Sequence, residues 1–220
     1  MAGHSAGPIL ELGCGTGRVL FPLAQVAPPV YGLDRDISML AFLNQQIPAA
    51  LRANIHIFSA DFANFHLSIR FGLILLPCNT YSTLAASLRQ ATLENVRRHL
   101  LSNGLFAVSL PNPDLLRRLP AHADPEVEEV FPHPNTGEPV QVVSSWRRTR
   151  QHFVVDWHYD HLLPDGQVQR LSAQVQHVLL STQEILQEIH SAGFSAIICY
   201  GDYDGSPHTT HSPSLIILAS

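Results

Sequence analysis

The residues best equipped for chemistry lie near the start of the chain. Glu11, Gly13, Gly15 and Gly17 fall within Ile9-Leu10-Glu11-Leu12-Gly13-Cys14-Gly15-Thr16-Gly17-Arg18-Val19-Leu20, where a short apolar run meets three glycines and passes into helix-forming sequence. The pattern predicts strand, tight turn, helix. Glycines supply positive φ and no Cβ, so a flat ligand can lie against the main chain while free N–H groups of the helix start point at it. The third glycine comes two residues after the second, which misses the G-x-G-x-x-G register of a pyrophosphate cradle; Arg18 and Leu20 fill the places a shifted register needs. Glu11 sets a carboxylate beside the turn, disfavouring phosphate and favouring a cationic ligand. Asp34 ends the apolar segment Val30-Tyr31-Gly32-Leu33, 21 residues beyond Gly13, near the spacing at which an acid accepts both hydroxyls of a ribose. The blander role is helix capping, since Asp36 or Ser38 opens the segment Ile37 to Gln46, but the glycine turn upstream favours ribose.

S-adenosylmethionine, with its ammonium and sulfonium, matches that sign, and Glu11-Leu12-Gly13-Cys14-Gly15-Thr16-Gly17 resembles the first motif of the class I S-adenosylmethionine-dependent methyltransferases. The resemblance runs over roughly residues 8 to 110 and 181 to 219 and is weakest between them. It implies an acid for the adenine amino group after the third strand, with the next side chain packed on the ring; Asp61 and Phe62 stand there. Pro77-Cys78-Asn79-Thr80-Tyr81 follows the fourth strand, where the methyl group and its acceptor would lie. Nucleobase amino-methyltransferases of the family carry Asn/Asp-Pro-Pro-Tyr/Phe at this place, so Leu76-Pro77-Cys78-Asn79 argues against DNA or RNA amines. The donor set so implied is Glu11, Gly13, Cys14, Gly15, Gly17, Asp34, Arg35, Asp61, Phe62, Pro77 and Asn79.

The activity implied is transfer of a methyl group from S-adenosylmethionine to nitrogen or oxygen of a small molecule, leaving S-adenosylhomocysteine. Alignment of donor and acceptor with expulsion of water supplies much of the barrier reduction, and a general base is optional for an amine arriving neutral. Tyr81, His158, Tyr159 and Asp204 are candidates to orient or deprotonate the acceptor, against the alternative that they are packing residues with a satisfied polar tip. Two other readings are a non-catalytic or impaired S-adenosylmethionine-binding protein of the same fold, and a nicotinamide oxidoreductase, which glycine spacing and Glu11 disfavour. Only eight residues precede Ile9, whereas family members commonly carry an N-terminal helical segment that closes over the site: either the true start lies upstream, or another subunit covers the site, or the protein is impaired, and if that segment normally excludes water the expectation is cofactor binding with slow turnover.

The elements that must position these residues follow from periodicity. Arg18 to Ala27 reads as a helix that tolerates Pro22 near its first turns and is stopped by Pro28-Pro29. Ile55-His56-Ile57-Phe58 and Phe71-Gly72-Leu73-Ile74-Leu75-Leu76 read as strands, the latter apolar on both faces like the centre of a parallel sheet. Leu84 to Leu101 reads as an amphipathic helix with Leu88, Leu93, Val96 and Leu100 inward and Arg89, Glu94, Arg97 and Arg98 outward, ended by Ser102-Asn103-Gly104 before a strand Leu105 to Leu110. Pro111 to Pro139 reads as a long connection. Val140 to Arg150, His152 to Leu162 and Val168 to Leu180 have strand periodicity, with Phe153, Val155, Trp157 and Tyr159 on one face of the middle strand and Asp156, His158 and Asp160 on the other. Thr182 is the expected cap of a helix with Ile185, Leu186 and Ile189 inward, followed by strands Phe194 to Tyr200 and Leu215 to Leu218.

The fold expected is α/β, a Rossmann-like three-layer sandwich with a mostly parallel seven-stranded sheet and an antiparallel β insert before the last helix. At 220 residues this is one domain, with linker and insert over about 111–180. Thirteen Lys+Arg against eighteen Asp+Glu give 13 − 18 = −5, and no basic tract tracks a nucleic-acid backbone. Cys14, Cys78 and Cys199 lie far apart, giving no disulfide or zinc pattern, and the thirteen histidines are scattered, so no metal is expected. With no spanning apolar run and no leader, the expectation is a cytoplasmic protein acting on a small-molecule acceptor without nucleic acid or membrane. A weak homodimer through residues 140 to 180 is expected to cover the insert's apolar face.

Overall fold

The computed structural model describes residues 7–26 and 29–220. Two compact units emerge, Met1–Asn112 with Ser181–Ser220, and Pro113–Leu180.

The first unit is built on a seven-stranded sheet. Its strands are β1 (Ile9–Leu12), β2 (Val30–Asp34), β3 (Ile55–Ser59), β4 (Phe71–Leu76), β5 (Leu100–Pro111), β10 (Ile197–Tyr200) and β11 (Ser214–Ala219), in the order β10-β11-β5-β4-β1-β2-β3. Six run in one direction, and β11 is antiparallel to its neighbours β5 and β10. The chain steps outward from β1 through α1 (Leu20–Val26), β2, α2 (Ile37–Gln46) and β3, then returns to β4 on the other side of β1. That reversal makes the gap between β1 and β4 the switch point at which open α/β sheets bind ligands, beyond the strands' carboxyl ends. Registers Leu12↔Leu33 and Asp34↔Ser59 bring the ends of β1, β2 and β3 to one edge.

Both faces of this sheet must be covered, and its strands are accordingly mostly apolar. Ile9, Leu10, Leu12, Phe71, Ile74, Leu76, Leu215 and Ile217 are all fully or almost fully buried. Leu20 and Ala24 of α1 and Leu40 and Leu43 of α2 join the core beside Ile9, Val30 and Ile55. Ala27 and Pro28, where the first helix was expected to stop, lie outside the described residues.

Several expectations need correction. The long helix is α4 (Ala86–His99), preceded by a single turn, α3 (Thr80–Thr83). It ends at His99 because Leu100 is already extended and paired with Phe71, so β5 begins before Ser102-Asn103-Gly104 rather than after it. Gly104 serves a close approach there: a Cβ would stand 2.8 Å from the Phe71 carbonyl oxygen, beside the register shift between Phe71 and Leu73. Arg89, expected outward, is 3 % exposed. The cap of α6 (Thr182–Ser191) is Ser181 rather than Thr182: Ser181 Oγ accepts from the Glu184 N–H, and the Glu184 carboxylate accepts from the Ser181 N–H, closing a capping box.

The second unit replaces the expected long connection with α5 (Pro113–Arg118) and β6 (His122–Pro132), followed by β7 (Pro139–Arg148), β8 (His152–Leu162) and β9 (Val168–Val178) in one antiparallel sheet, order β6-β7-β8-β9. β6 left no alternating signal because it is an edge strand exposed almost throughout, where Pro125 is tolerated. The sidedness of β8 is as expected. Asp156 takes Arg147 and Gln174, Asp160 takes Arg170, and His158 meets Ser172, all across neighbouring strands on one face. No helix among the described residues is long and apolar enough to cross a membrane.

Candidate active site

The turn after β1 is held from below by its neighbour strand. The N–H groups of Gly13 and Cys14 both donate to the Leu33 carbonyl, at 2.7 and 3.0 Å, and the Gly17 N–H donates back to Cys14 O at 2.8 Å. Gly13, Gly15 and Gly17 have φ of 74°, 51° and 91°, so the turn takes the left-handed path that the three glycines allow. Phe62, from the loop after β3, packs on the same turn, its Cζ 3.5 Å from where a Gly13 Cβ would stand. The Met39 sulfur lies 3.7 Å from the corresponding position at Gly15.

Asp34 ties two segments together. Its Oδ2 accepts from the Gly15 N–H at 2.8 Å and its Oδ1 from the Asp36 N–H at 2.9 Å. Asp36 is the actual cap of α2, accepting from Ser38 and Met39, which separates the capping role from Asp34. A carboxylate has about four lone-pair directions, so Asp34 keeps two for hydroxyl donors.

Glu11 is the most telling residue. It is 2 % exposed, and its Oε2 has no hydrogen-bond partner among the described residues. Burial pushes its carboxyl up to about 8; the Arg18 guanidinium pulls the other way and the Asp34 carboxylate adds to the rise. Burial likewise pushes the Cys14 thiol up to about 12, with Glu11 and Asp34 reinforcing the rise. A buried, unpartnered carboxylate at the end of a parallel strand is costly unless a cation or a donor reaches it.

On the far side of the turn, Arg35, Asp61 and Phe62 face Thr80, Thr83, Leu84, Ala85 and Leu88 across a cleft of about 220 Å³. Asp61 Oδ1 accepts from the Ala63 N–H at 2.8 Å. The loop after β4 closes the switch point: Cys78 and Asn79 have φ of 61° and 65°, and their N–H groups donate to Ser109 Oγ and Ser109 O of β5. Two successive non-glycine residues in that conformation store strain, as functional loops often do. Arg18 Nη2 lies 2.8 Å from Cys78 Sγ, bridging the glycine turn to this loop. The sequence contained both residues but no spacing that joins them. Pro77 stands at the same strand end, its carbonyl accepting from Thr80 Oγ1.

Of the acceptor-side candidates, Tyr81 and Asp204 belong to the first unit and His158 and Tyr159 to the second. Tyr81 is fully buried, and its hydroxyl donates to Glu188 Oε2 at 2.5 Å. Burial and that hydrogen bond hold its phenol well above the usual range. Arg89 completes the group with Nε and Nη2 on the two oxygens of Glu188, at 2.8 and 2.7 Å. Tyr81 thus anchors the β4 loop to α4 and α6. Asp204 is exposed and accepts from the Ser206 N–H at 2.8 Å, which keeps its carboxyl below the usual range. His158 and Tyr159 belong to the second unit; being consecutive on β8 they face opposite sides, and His158 Nδ1 is 2.8 Å from Ser172 Oγ.

The residues present fit S-adenosylmethionine: a buried acid with one oxygen lacking a partner, a carboxylate with free lone pairs one strand away, a turn with three positive-φ glycines between them, and a cleft lined by Asp61 and Phe62. Comparison with known proteins agrees. Residues 9–104 match the family model described as a methyltransferase domain. Among curated proteins, none matches the chain in sequence. Among solved structures, the CcbJ methyltransferase of Streptomyces caelestis is similar at TM-score 0.78 and 22% identity, covering 98% of this chain and 83% of that one. CalS10, an amino pentose methyltransferase of Micromonospora echinaspora solved with S-adenosylmethionine bound, matches at TM-score 0.76 and 19% identity over 99% and 85%. The sugar N-methyltransferase KedS8 of Streptoalloteichus sp ATCC 53650 matches at TM-score 0.76 and 19% identity over 98% and 80%. Residues 9–104 thus match a methyltransferase domain, and nearly the whole chain has the fold of solved S-adenosylmethionine-dependent methyltransferases.

Proposed function

We propose that the protein methylates a nitrogen or oxygen of a small-molecule acceptor, with the amine of an amino-sugar-like compound the leading choice. The observation that carries the donor assignment is the orphaned Glu11 carboxylate beside the glycine turn. Support for an amine comes from the similar structures, which include sugar and glycopeptide N-methyltransferases.

When bound, S-adenosylmethionine supplies a sulfonium-activated methyl group for in-line displacement. Glu11 would take the ammonium, Asp34 the ribose hydroxyls, and Asp61 with Phe62 the adenine. The glycine turn lets the main chain approach closely, and the Pro77 to Asn79 loop, fixed to Ser109, borders the place where the acceptor must arrive. None of these groups needs to move a proton if the amine arrives neutral, so positioning carries the catalysis.

The test uses methyl-labelled S-adenosylmethionine with a panel of amino sugars, their N-acetylated forms and simple alcohols. Label in the free amines and none in the acetylated forms supports the reading. Tight donor binding with no label in any acceptor would leave a binding protein of the same fold.

A further inference from the structure

The first unit holds a second cleft, of about 480 Å³, at the opposite end of β4 from the donor site. It lies between the loop that leads into β4 and the last turn of α4, and its walls include Asn64, His66, Ser68, Arg70, Arg98 and His99. Two arginines and two histidines face it, and no carboxylate lines it. Glu94, the acid one turn back on α4, accepts instead from Gln90 at 3.0 Å.

The frame of this cleft is rigid. His99, 5 % exposed, has its Nδ1 2.8 Å from the Asn95 carbonyl, while its Nε2 accepts from the Leu67 N–H at 3.1 Å. That pattern fixes the ring as the Nδ1–H tautomer. Asn95 Nδ2 donates to the carbonyls of Phe62 and Phe65, at 3.0 and 3.2 Å, and the Phe65 ring lies 4.4 Å from that of His99. Arg70 places Nη1 on the carbonyls of Arg98 and Leu100, covering the negative end of α4 that would otherwise repel an anion.

What remains is a set of unused donors. The side chains of Asn64, His66, Ser68 and Arg98 make no hydrogen bond among the described residues, and Arg70 keeps Nε and Nη2. A guanidinium fork beside hydroxyl and amide donors suits a tetrahedral oxyanion, and the volume lies in the range of small-molecule sites rather than of a bare ion. We infer that this cleft binds a phosphate-bearing small molecule, at a site separate from the donor site. The two sites differ in sign: Glu11 and Asp34 line one, and arginines line the other.

The experiment is calorimetric titration of the full chain with inorganic pyrophosphate at constant ionic strength, with and without saturating S-adenosylhomocysteine. The expected result is saturable binding that persists with S-adenosylhomocysteine present and weakens at least tenfold in Arg98→Gln. Arg98 is exposed, so that variant keeps its fold, and Ser68→Ala is a second exposed site at which a smaller loss is expected. Heats that never saturate, binding displaced by S-adenosylhomocysteine, or equal affinity in wild type and Arg98→Gln would each overturn the assignment.

Discussion

The Gly15 amide and the Asp34 carboxylate meet at 2.8 Å, so the glycine turn and the acid proposed for the ribose form one piece before any ligand arrives. With its other oxygen on the Asp36 N–H, Asp34 is held in one orientation and loses little freedom on binding. In Asp34→Asn an amide N–H₂ must face one of those backbone donors. Donor affinity is expected to fall by about 1–3 kcal/mol, with a lower melting temperature from the loosened turn. Calorimetry with S-adenosylhomocysteine measures the first effect, and unchanged affinity would remove Asp34 from the site.

Two glycines of the turn separate folding from binding. At Gly17, φ is 91° and a Cβ would stand 2.5 Å from Leu43 Cδ1, a side chain fully inside the core. At Gly15, φ is 51° but the nearest atom is the Met39 sulfur at 3.7 Å. Gly17→Ala should therefore unfold at distinctly lower temperature. Gly15→Ala should cost only the conformational strain of about 1–2 kcal/mol while losing most donor affinity, because its methyl group points to the surface the ligand uses. Thermal melts and donor titrations of the pair check this; equal stability in both variants would contradict the packing account.

Tyr81, Arg89 and Glu188 predict a structural effect where the sequence suggested a catalytic one. Tyr81→Phe removes a buried hydrogen bond and should cost about 1 kcal/mol of stability, and Glu188→Gln more, because it weakens the partner of Arg89. The pH profile of turnover should keep its shape in Tyr81→Phe. A collapse of turnover at unchanged melting temperature would return Tyr81 to the acceptor site.

The proposed donor set was legible as a set of strand ends, because each residue is tied to one: Glu11 to β1, Asp34 to β2, Asp61 just past β3, Pro77 to β4. The chain order of strands and turns therefore carries the site. What stayed hidden depends on distant partners. Arg89 looked solvent-facing because Glu188, which neutralises it, is on another helix 99 residues away. The Arg18 to Cys78 contact spans 60 residues and needs two positive-φ residues that are not glycine. β6 was invisible for the opposite reason: an exposed edge strand buries nothing and so leaves no period.

The four-stranded sheet carries exposed apolar residues on both of its edge strands, Val127 and Val130 on β6, Val168 and Leu171 on β9. A second copy of the chain is the proposed cover, giving a weak dimer. Light scattering should show mass rising with concentration, and Leu171→Lys should hold the protein monomeric. A single monomeric mass up to high concentration in the unmodified chain would count against it.

Glu11 makes the sharpest prediction, because its folded value of about 8 stands far above the ordinary 4.5. Between those values the folded chain holds a proton that the unfolded chain has released. This contribution to stability is complete below about 4.5, declines as pH rises, and is gone above about 8. Donor binding runs the other way. A cation beside Glu11 favours the carboxylate, so at neutral pH the protein must expel a proton as the ligand enters, and affinity should rise with pH until about 8. Calorimetry in two buffers of different ionisation heat reads that proton directly. Glu11→Gln should abolish both the released proton and the slope, weaken donor binding, and leave the ligand-free protein more stable at alkaline pH than the unmodified chain. Affinity that stays flat from acid to alkaline pH in the unmodified chain would mean that no cationic group of the donor reaches Glu11.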